Sequence, residues 1–185
     1  MEVVGPDMTL RPPREEDAPA LLELASDPEV TQWFSWGPYT SIDEPLAYIE
    51  RARGWREAGT QIDMLIVDHE RGPAGITGLS EIVARDRRAV VGTWVGREFW
   101  GTGVNALSKA LILHLGFIEM DLERIAAPTD VRNARSQRAL EKLGFVREGV
   151  LRHYHRHGDV YKDVAMYALL RDEWSPMEGV TLRDD

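Results

Sequence analysis

A glycine-rich stretch, Gly101-Thr102-Gly103, lies between a strand-like run and a long apolar helix pattern. The first turn of a helix leaves backbone N–H groups unpaired, and the helix dipole adds positive potential there. Glycine lets such a backbone approach an anion closely. The stretch therefore predicts a pyrophosphate cradle, although a tight turn without a ligand fits the same residues. The stretch is not a Walker A loop, because no Gly-Lys-Ser/Thr follows it. It does not match a dinucleotide-binding fold either, because a third glycine and a downstream acidic residue are missing.

A second polar pair, Asn133 and Ser136, falls where a predicted strand ends and a predicted helix begins. Residues three apart share one face of a helix, so both side chains are expected on one side, beside the glycine turn. Asn and Ser are also ordinary helix-capping residues, and a capping role is the simpler interpretation of either residue taken alone. Next to the glycine turn, the pair is a candidate part of the same site.

Three histidines, His153, His155 and His157, alternate near the C-terminus. Because side chains alternate along a strand, the three are predicted to share one face. Histidine titrates near neutral pH, which suits a general base. A solvated hairpin tip is the alternative, and a zinc site would need a carboxylate or cysteine partner that is not evident. Glu81 and Glu148 are the other candidate bases, and each could equally be a surface carboxylate.

Four aromatic residues, Trp33, Phe34, Trp36 and Tyr39, cluster in one predicted loop. The Gly-Pro pair at positions 37–38 marks a turn within it. Such rings can stack on a cationic or apolar ligand. Trp33 and Phe34 are expected to pack beneath the loop as a small core, whereas Trp36 is the better candidate for a substrate contact.

The elements that position these residues are recognisable as strand and helix patterns. Strand-like runs begin near residues 8, 61, 74, 88, 123, 145 and 160, and helix-like runs cover residues 14–26, 42–58, the glycine turn to about 118, and 133–143. The charged turn at 85–87 is short, so the strands beside it are predicted to pair antiparallel. The order predicts an α/β (α+β) fold, a mixed, mostly antiparallel sheet of about seven strands with helices on both faces.

The chain has 185 residues, of which 43% are apolar and none is cysteine. That length fits one domain over residues 1–185, with a core at about 8–174 and a short acidic C-terminal tail. The absence of cysteine excludes disulfide scaffolds and thiol nucleophiles, and it permits a reducing cytoplasm. No secretory signal or membrane-spanning run is evident, so a soluble cytoplasmic protein is predicted. The net charge of −9 disfavours nucleic-acid binding.

Between residues 92 and 174 the sequence carries, in order, W-G-T-G-V-N, N-A-R-S, L-E-K-L-G-F, R-E-G-V-L-R and E-W. In combination these motifs resemble the GNAT N-acetyltransferase superfamily, and most of all its ribosomal-protein alanine acetyltransferase-like (RimJ/RimL-type) branch. The resemblance extends over about residues 8–174. It implies the GNAT fold, acetyl-CoA (acetyl coenzyme A) as the donor, and transfer of the acetyl group to a primary amine.

The resemblance also assigns roles by position. It implies that the donor's pyrophosphate lies on main-chain amides at Gly101, Thr102, Gly103, Val104 and Asn105. The pantetheine arm would pair with the main chain of Trp94 and Val95, as an extended chain can add to a strand edge. It would contact Asn133 and end near Ser136, which would give a proton to the leaving thiolate.

Two positions depart from the family pattern. Glu98 stands where many members have Gln or Arg, so a phosphate contact there is expected from the backbone only. Leu140 stands where many members have a general-acid tyrosine. The serine of the alanine-acetyltransferase branch, here Ser136, is the expected acid. A glutamate proposed as base in that branch falls near His155, which makes His155 the candidate base.

The predicted reaction is direct attack of a primary amine on the acetyl thioester. A peptide or ribosomal-protein N-terminus is the first acceptor class, a small amine such as an amino acid, polyamine or antibiotic is the second, and a non-catalytic acyl-CoA-binding module is the third possibility. Trp36, Glu81 and His153 are the candidate acceptor contacts. No metal, membrane or nucleic acid is expected as a partner, and a homodimer is left open because no heptad pattern indicates one.

Replacing Ser136 with Ala is expected to lower kcat more than it raises the KM for acetyl-CoA. The reason is that the hydroxyl would act on the leaving thiolate and contribute little to holding the donor. Steady-state kinetics with saturating acceptor measures both constants. Unchanged turnover with the true acceptor would rule out the acid role of Ser136.

Overall fold

Nine strands form one sheet in the computed structural model, which describes residues 1–183. They are β1 (Glu2–Val4), β2 (Met8–Arg11), β3 (Ile62–Asp68), β4 (Gly72–Val83), β5 (Arg88–Val95), β6 (Arg124–Asp130), β7 (Val146–His157), β8 (Val160–Leu170) and β9 (Thr181–Arg183). Their order across the sheet is β7-β8-β6-β5-β4-β3-β2-β1-β9. Neighbouring strands are antiparallel except β5 and β6, which are parallel.

Helices cover both faces of this sheet. They are α1 (Ala18–Ala25), α2 (Pro28–Thr31), α3 (Asp43–Glu57), α4 (Val104–His114) and α5 (Ala134–Lys142). Asp63 of β3, in register with Gly78 of β4, accepts a hydrogen bond from Tyr48 of α3, whereas the adjacent Leu79 faces Gly116, just after α4. Because neighbouring strand residues point to opposite faces, α3 and α4 lie on opposite faces.

The predicted fold class is confirmed, and so is the antiparallel pairing of β4 with β5 across the charged turn. The sheet has nine strands among residues 1–183, against about seven predicted. The two additional strands, β1 and β9, pair with each other and have three residues each, too few to show an alternating pattern. In the same part of the chain, no helix has the length and apolar character needed to cross a membrane.

A glycine lets β4 approach β5 closely near the end of β5. Gly75 is in register with Val95 and has a φ of +151°. A Cβ at this position would lie 2.2 Å from the carbonyl oxygen of Trp94 and 2.8 Å from the Cα of Val95. Because these are backbone atoms, they cannot rotate away, and a side chain at position 75 would displace β5.

Replacing Gly75 with Ala is therefore expected to lower the free energy of unfolding by about 3 kcal/mol, since overpacking and backbone strain act together. Urea unfolding followed by circular dichroism measures the loss. Gly92→Ala on β5 is the matched control, because a Cβ there would meet no atom within 4 Å. Equal losses for both variants would contradict this account of Gly75.

Candidate active site

The parallel pairing of β5 with β6 is short and leaves a cleft beyond it. Arg88, Ala89 and Val90 pair with residues 124–126, and the pairing goes no further. The cleft has a volume of about 540 Å³, within the usual range of small-molecule sites. Its walls come from β5, the glycine turn, α4, β6, α5 and the end of β7.

The glycine turn lines this cleft at the N-terminus of α4. Gly101 and Gly103 have φ angles of +78° and +94°, in the region that favours glycine. A Cβ at either position would meet no atom within 4 Å, so the space over the turn is open. The α4 ladder begins with Ala106, whose N–H donates to the Gly103 carbonyl at 3.0 Å. The amides of Val104 and Asn105 stand outside that ladder, and the turn fits an anion cradle.

Two residues predicted in this cradle direct their side chains elsewhere. The Thr102 hydroxyl donates to the carbonyl of Phe99 at 2.8 Å. The Val104 side chain is buried in the core. The Thr102 N–H also donates to the Phe99 carbonyl, at 3.4 Å, whereas Val104 keeps its main-chain amide as the contact that the resemblance predicts.

Asn133 and Ser136 both line the cleft, on the shared helix face predicted for them. Asn133 caps α5, and its Oδ1 accepts the N–H of Ser136 at 3.1 Å. The cap engages only the oxygen, so the side-chain NH₂ group of Asn133 remains a donor for a ligand. Leu140, one turn further on, is buried, so Ser136 is the hydroxyl that α5 presents to the cleft.

The main chain of Val95 faces the cleft. Successive residues of an antiparallel ladder direct their N–H and C=O groups to opposite sides, and the Gly96 N–H donates to the Ala74 carbonyl of β4 at 2.9 Å. The groups of Val95 therefore point away from β4. Its carbonyl accepts the indole N–H of Trp100 at 3.0 Å, which leaves its own N–H for a ligand. By the same alternation the main chain of Trp94 is directed toward β4.

Basic side chains line the cleft although the chain as a whole is acidic. Five cationic residues face it, and Asp130 is the one carboxylate among its described lining residues; the cations are Lys109, Arg135, Arg138, Lys142 and Lys162. Asp130 is itself paired with Arg132 at 2.8 Å, and this hydrogen bond lowers the pKa of the carboxyl group. The sequence reasoning missed these cations. Their signal was the spacing of Arg135, Arg138 and Lys142, which places three cations on one face of α5.

Lys109 is the most buried of these cations. Its side chain is 7% exposed, and its Nζ donates to Asn105 Oδ1 at 3.0 Å. Burial lowers the pKa of Lys109 to about 7, because removal from water penalises the charged form. A lysine whose pKa is close to neutral pH, next to an anion cradle, can take up a proton when an anion binds.

The three histidines do not share one face, so that prediction was wrong for His153. The β7–β8 register shifts between Leu151 and His155, and His153 has a φ of +53°. This irregularity turns His153 onto Tyr161, with ring centroids 5.5 Å apart. His155 and His157 line the cleft. Burial, with Lys162 and His155 nearby, lowers the pKa of His157.

The two glutamates proposed as alternative bases lie outside both described cavities. Glu148 forms a bidentate ion pair with Arg124, which lowers the pKa of the carboxyl group. This contact supports the interpretation of Glu148 as a salt-bridge partner. Glu81 is exposed at an irregularity between β4 and β5, with a φ of +49°.

The aromatic loop, residues 33–41, lies over β5. Trp36 is at its centre, with ring centroids 5.3 Å from Phe34, 5.3 Å from Tyr39 and 5.6 Å from Trp94. The Tyr39 N–H donates to the carbonyl of Ala25 at 3.0 Å and holds the loop to the end of α1. Phe34 lines the cleft together with Trp33, so these two are not only a core beneath the loop.

Comparison with known proteins identifies the class. The chain matches the acetyltransferase (GNAT) domain family over residues 7–146. It is 31% identical over 169 residues to the uncharacterized N-acetyltransferase p20 of Bacillus licheniformis, covering 91% of this chain and 95% of p20. The chain belongs to the GNAT acetyltransferase family. It is an acetyltransferase, and its donor is acetyl-CoA.

Solved structures agree with this fold. A T. thermophilus protein assigned as an acetyltransferase is 33% identical with a TM-score of 0.81, covering 94% of this chain and 90% of that one. A ribosomal L7/L12 α-N-protein acetyltransferase, RimL, solved with coenzyme A, is 24% identical with a TM-score of 0.83 over 92% of this chain and 97% of that one. The GNAT resemblance is thus confirmed, and the RimL structure agrees with this chain in fold.

Replacing Lys109 with Met is expected to remove a pH dependence of stability. The unfolded chain binds the proton up to a pKa near 10.5 and the folded chain only up to about 7, so the free energy of unfolding rises with pH in between. Between pH 7 and pH 9 this amounts to about 2–3 kcal/mol. Urea unfolding at several pH values measures it. The exposed Lys142→Met variant should keep the wild-type slope, and a Lys109→Met protein with that same slope would refute the burial effect.

Proposed function

We propose that acetyl-CoA binds in the cleft between β5 and β6 and is held there by the glycine turn, the cations of α5 and the main chain of Val95. The observation that carries this proposal is the open turn at Gly101 and Gly103, which ends a cleft lined by five cations. The turn supplies oriented amides and the cations supply charge, which a pyrophosphate needs. Asn133 has a free NH₂ group for an amide carbonyl of the pantetheine arm.

Bound acetyl-CoA supplies a thioester whose carbonyl carbon a neutral amine can attack. The N–H of Val95 donates to the carbonyl oxygen as charge develops on it. Ser136 gives a proton to the leaving sulfur. His155 lines the same cleft and takes the proton that the amine must lose. Because the chain contains no cysteine, the acetyl group passes directly from donor to amine.

The acceptor in this proposal is a primary amine. A protein N-terminus, as in ribosomal-protein acetylation, is supported by the fold likeness to the RimL structure. A small amine is supported by a second, aromatic cavity that adjoins the donor cleft at β5. The presence of Asn133 and Ser136 beside the intact glycine turn argues against a binding module without turnover. The cysteine-free composition suits the reducing cytoplasm in which we place the protein.

An acceptor screen with acetyl-CoA tests this function. Purified protein is incubated with acetyl-CoA and either peptides with free N-termini or small primary amines, and release of free thiol is followed. We expect release above the rate of hydrolysis with at least one class, reduced in Ser136→Ala. If coenzyme A binds by calorimetry but no amine of either class is acetylated, the chain is a binding module instead.

A further inference from the structure

A second cavity of about 310 Å³ lies between the aromatic loop, α3 and the strands β3 to β5. Phe34, Gly92, Thr93 and Trp94 line both this cavity and the donor cleft, so the two meet at β5. Its volume is at the lower end of the range for small-molecule sites, about 300–1,000 Å³. A compact molecule in it would lie next to the strand that faces the donor.

Asp63 supplies the one carboxylate among the described residues that line this cavity. Tyr48 donates its hydroxyl to Oδ2 at 2.8 Å, and the Gln61 amide donates to both oxygens at 3.0 Å. Arg51 lines the same cavity, but no basic side chain within residues 1–183 forms an ion pair with Asp63. Burial raises the pKa of Asp63, against the opposing effect of these hydrogen bonds. When ionised, this carboxylate is therefore held by hydrogen bonds and has no cation in contact with it among residues 1–183.

Two glycines clear a path from this carboxylate to β5. Asp63, Gly78 and Gly92 occupy one row across β3, β4 and β5. A Cβ on Gly78 would lie 2.3 Å from Asp63 Oδ1, so the carboxylate rests over β4. A Cβ on Gly92 would meet no atom within 4 Å. Because neighbouring strands are about 4.8 Å apart, a group bound at Asp63 lies about one strand spacing from β5.

Aromatic rings form the walls around this path. Trp36 contacts Phe34, Tyr39 and Trp94 on the loop side. Tyr48 and Trp55, seven residues apart and thus on one side of α3, line the opposite wall. Such rings contact flat or apolar carbon skeletons and attract cations through their faces.

We propose that this second cavity is the acceptor pocket and that it selects a compact primary amine in its ammonium form, with Asp63 as the counter-charge and the aromatic rings around the carbon skeleton. The inference rests on the proposed acetyl transfer and names its acceptor class. The N-terminus of a folded protein is the competing acceptor. The cavity, with a volume of about 310 Å³, would admit only the first one or two residues of such a chain, which favours the compact amine.

Matched pairs of amines and alcohols test the proposal. Benzylamine, phenethylamine and cyclohexylmethylamine, each with the alcohol of the same skeleton, are titrated into the protein saturated with coenzyme A, by calorimetry. Tryptophan fluorescence gives a second readout, because Trp36, Trp55 and Trp94 line the cavity. We expect amines to bind at least tenfold more tightly than their alcohols.

Asp63→Asn is expected to abolish that tenfold difference and to raise the KM for the amine, with the affinity for coenzyme A unchanged. Its thermal midpoint measures separately the cost of changing the hydrogen bonds that Tyr48 and Gln61 donate to Asp63. Glu57→Gln removes one exposed carboxylate from the end of α3 and should keep the difference. A folded Asp63→Asn variant that retains the amine preference would overturn the proposal.

Gly92→Val provides a steric test of the path, because the position has free space and valine suits a strand. We expect a folded protein with at least tenfold weaker amine binding in the absence of coenzyme A. The proposed transferase activity fails separately, by absence of thiol release with every amine and peptide. If Asp63→Asn leaves the rate of peptide acetylation unchanged, the transferase activity is upheld and the acceptor-pocket proposal is rejected.

Discussion

The parallel ladder between β5 and β6 ends after three residue pairs, and the donor cleft depends on that early end. Backbone groups on the β6 side of β5 then have no strand partner, although buried N–H and C=O groups require one. The chain satisfies one of them itself, by the indole of Trp100 on the Val95 carbonyl. The remaining groups are available to an extended ligand. Gly75 supports this arrangement from the other side, because it allows β4 to hold β5 closely at Val95, five residues beyond the last pair of β5 with β6.

The protein has a net charge of −9 although its donor is an anion. The two are compatible, because binding depends on the charge inside the cleft. Net charge describes the field far from the surface, where salt screens it within about 10 Å. Inside the cleft the local charge is positive, from the cations of α5 together with Lys109 and Lys162. The second cavity has no such excess of positive charge, because one carboxylate, Asp63, and one cation, Arg51, line it together with aromatic rings. The two cavities thus differ in charge while sharing the wall at Gly92, Thr93 and Trp94.

Local patterns were enough to predict the order of the elements, the glycine turn and the shared helix face of Asn133 and Ser136. Each of these depends on residues within a few positions of one another. The short strands β1 and β9 could not be predicted, because three residues show no period and their pairing joins positions 2–4 to 181–183. His153 leaves the face predicted for the three histidines because of a bulge in β7, and this bulge has no clear signal in the sequence.

Asp63 was missed for a related reason. Its environment is assembled from Tyr48, Gly78 and Gly92, which come from three different elements and carry no common motif. The cations of α5 were a different case, because their helical spacing was visible in the sequence.

The cation face of α5 has a consequence for the motion of the protein. Arg135 and Arg138 are three residues apart and Arg138 and Lys142 four, so they repel one another by about 0.2–0.5 kcal/mol per pair. Only Leu140 of this helix is buried, so side-chain contacts hold much of it in place. The Tyr167 hydroxyl donates to Glu141 at 2.9 Å and to Gln137 at 3.4 Å, the Gln137 amide donates to the Val131 carbonyl at 2.9 Å, and Arg135 lies over the Trp100 ring. An anion bound along the face would cancel this repulsion, so we expect slower amide exchange in α5 once the donor is in place.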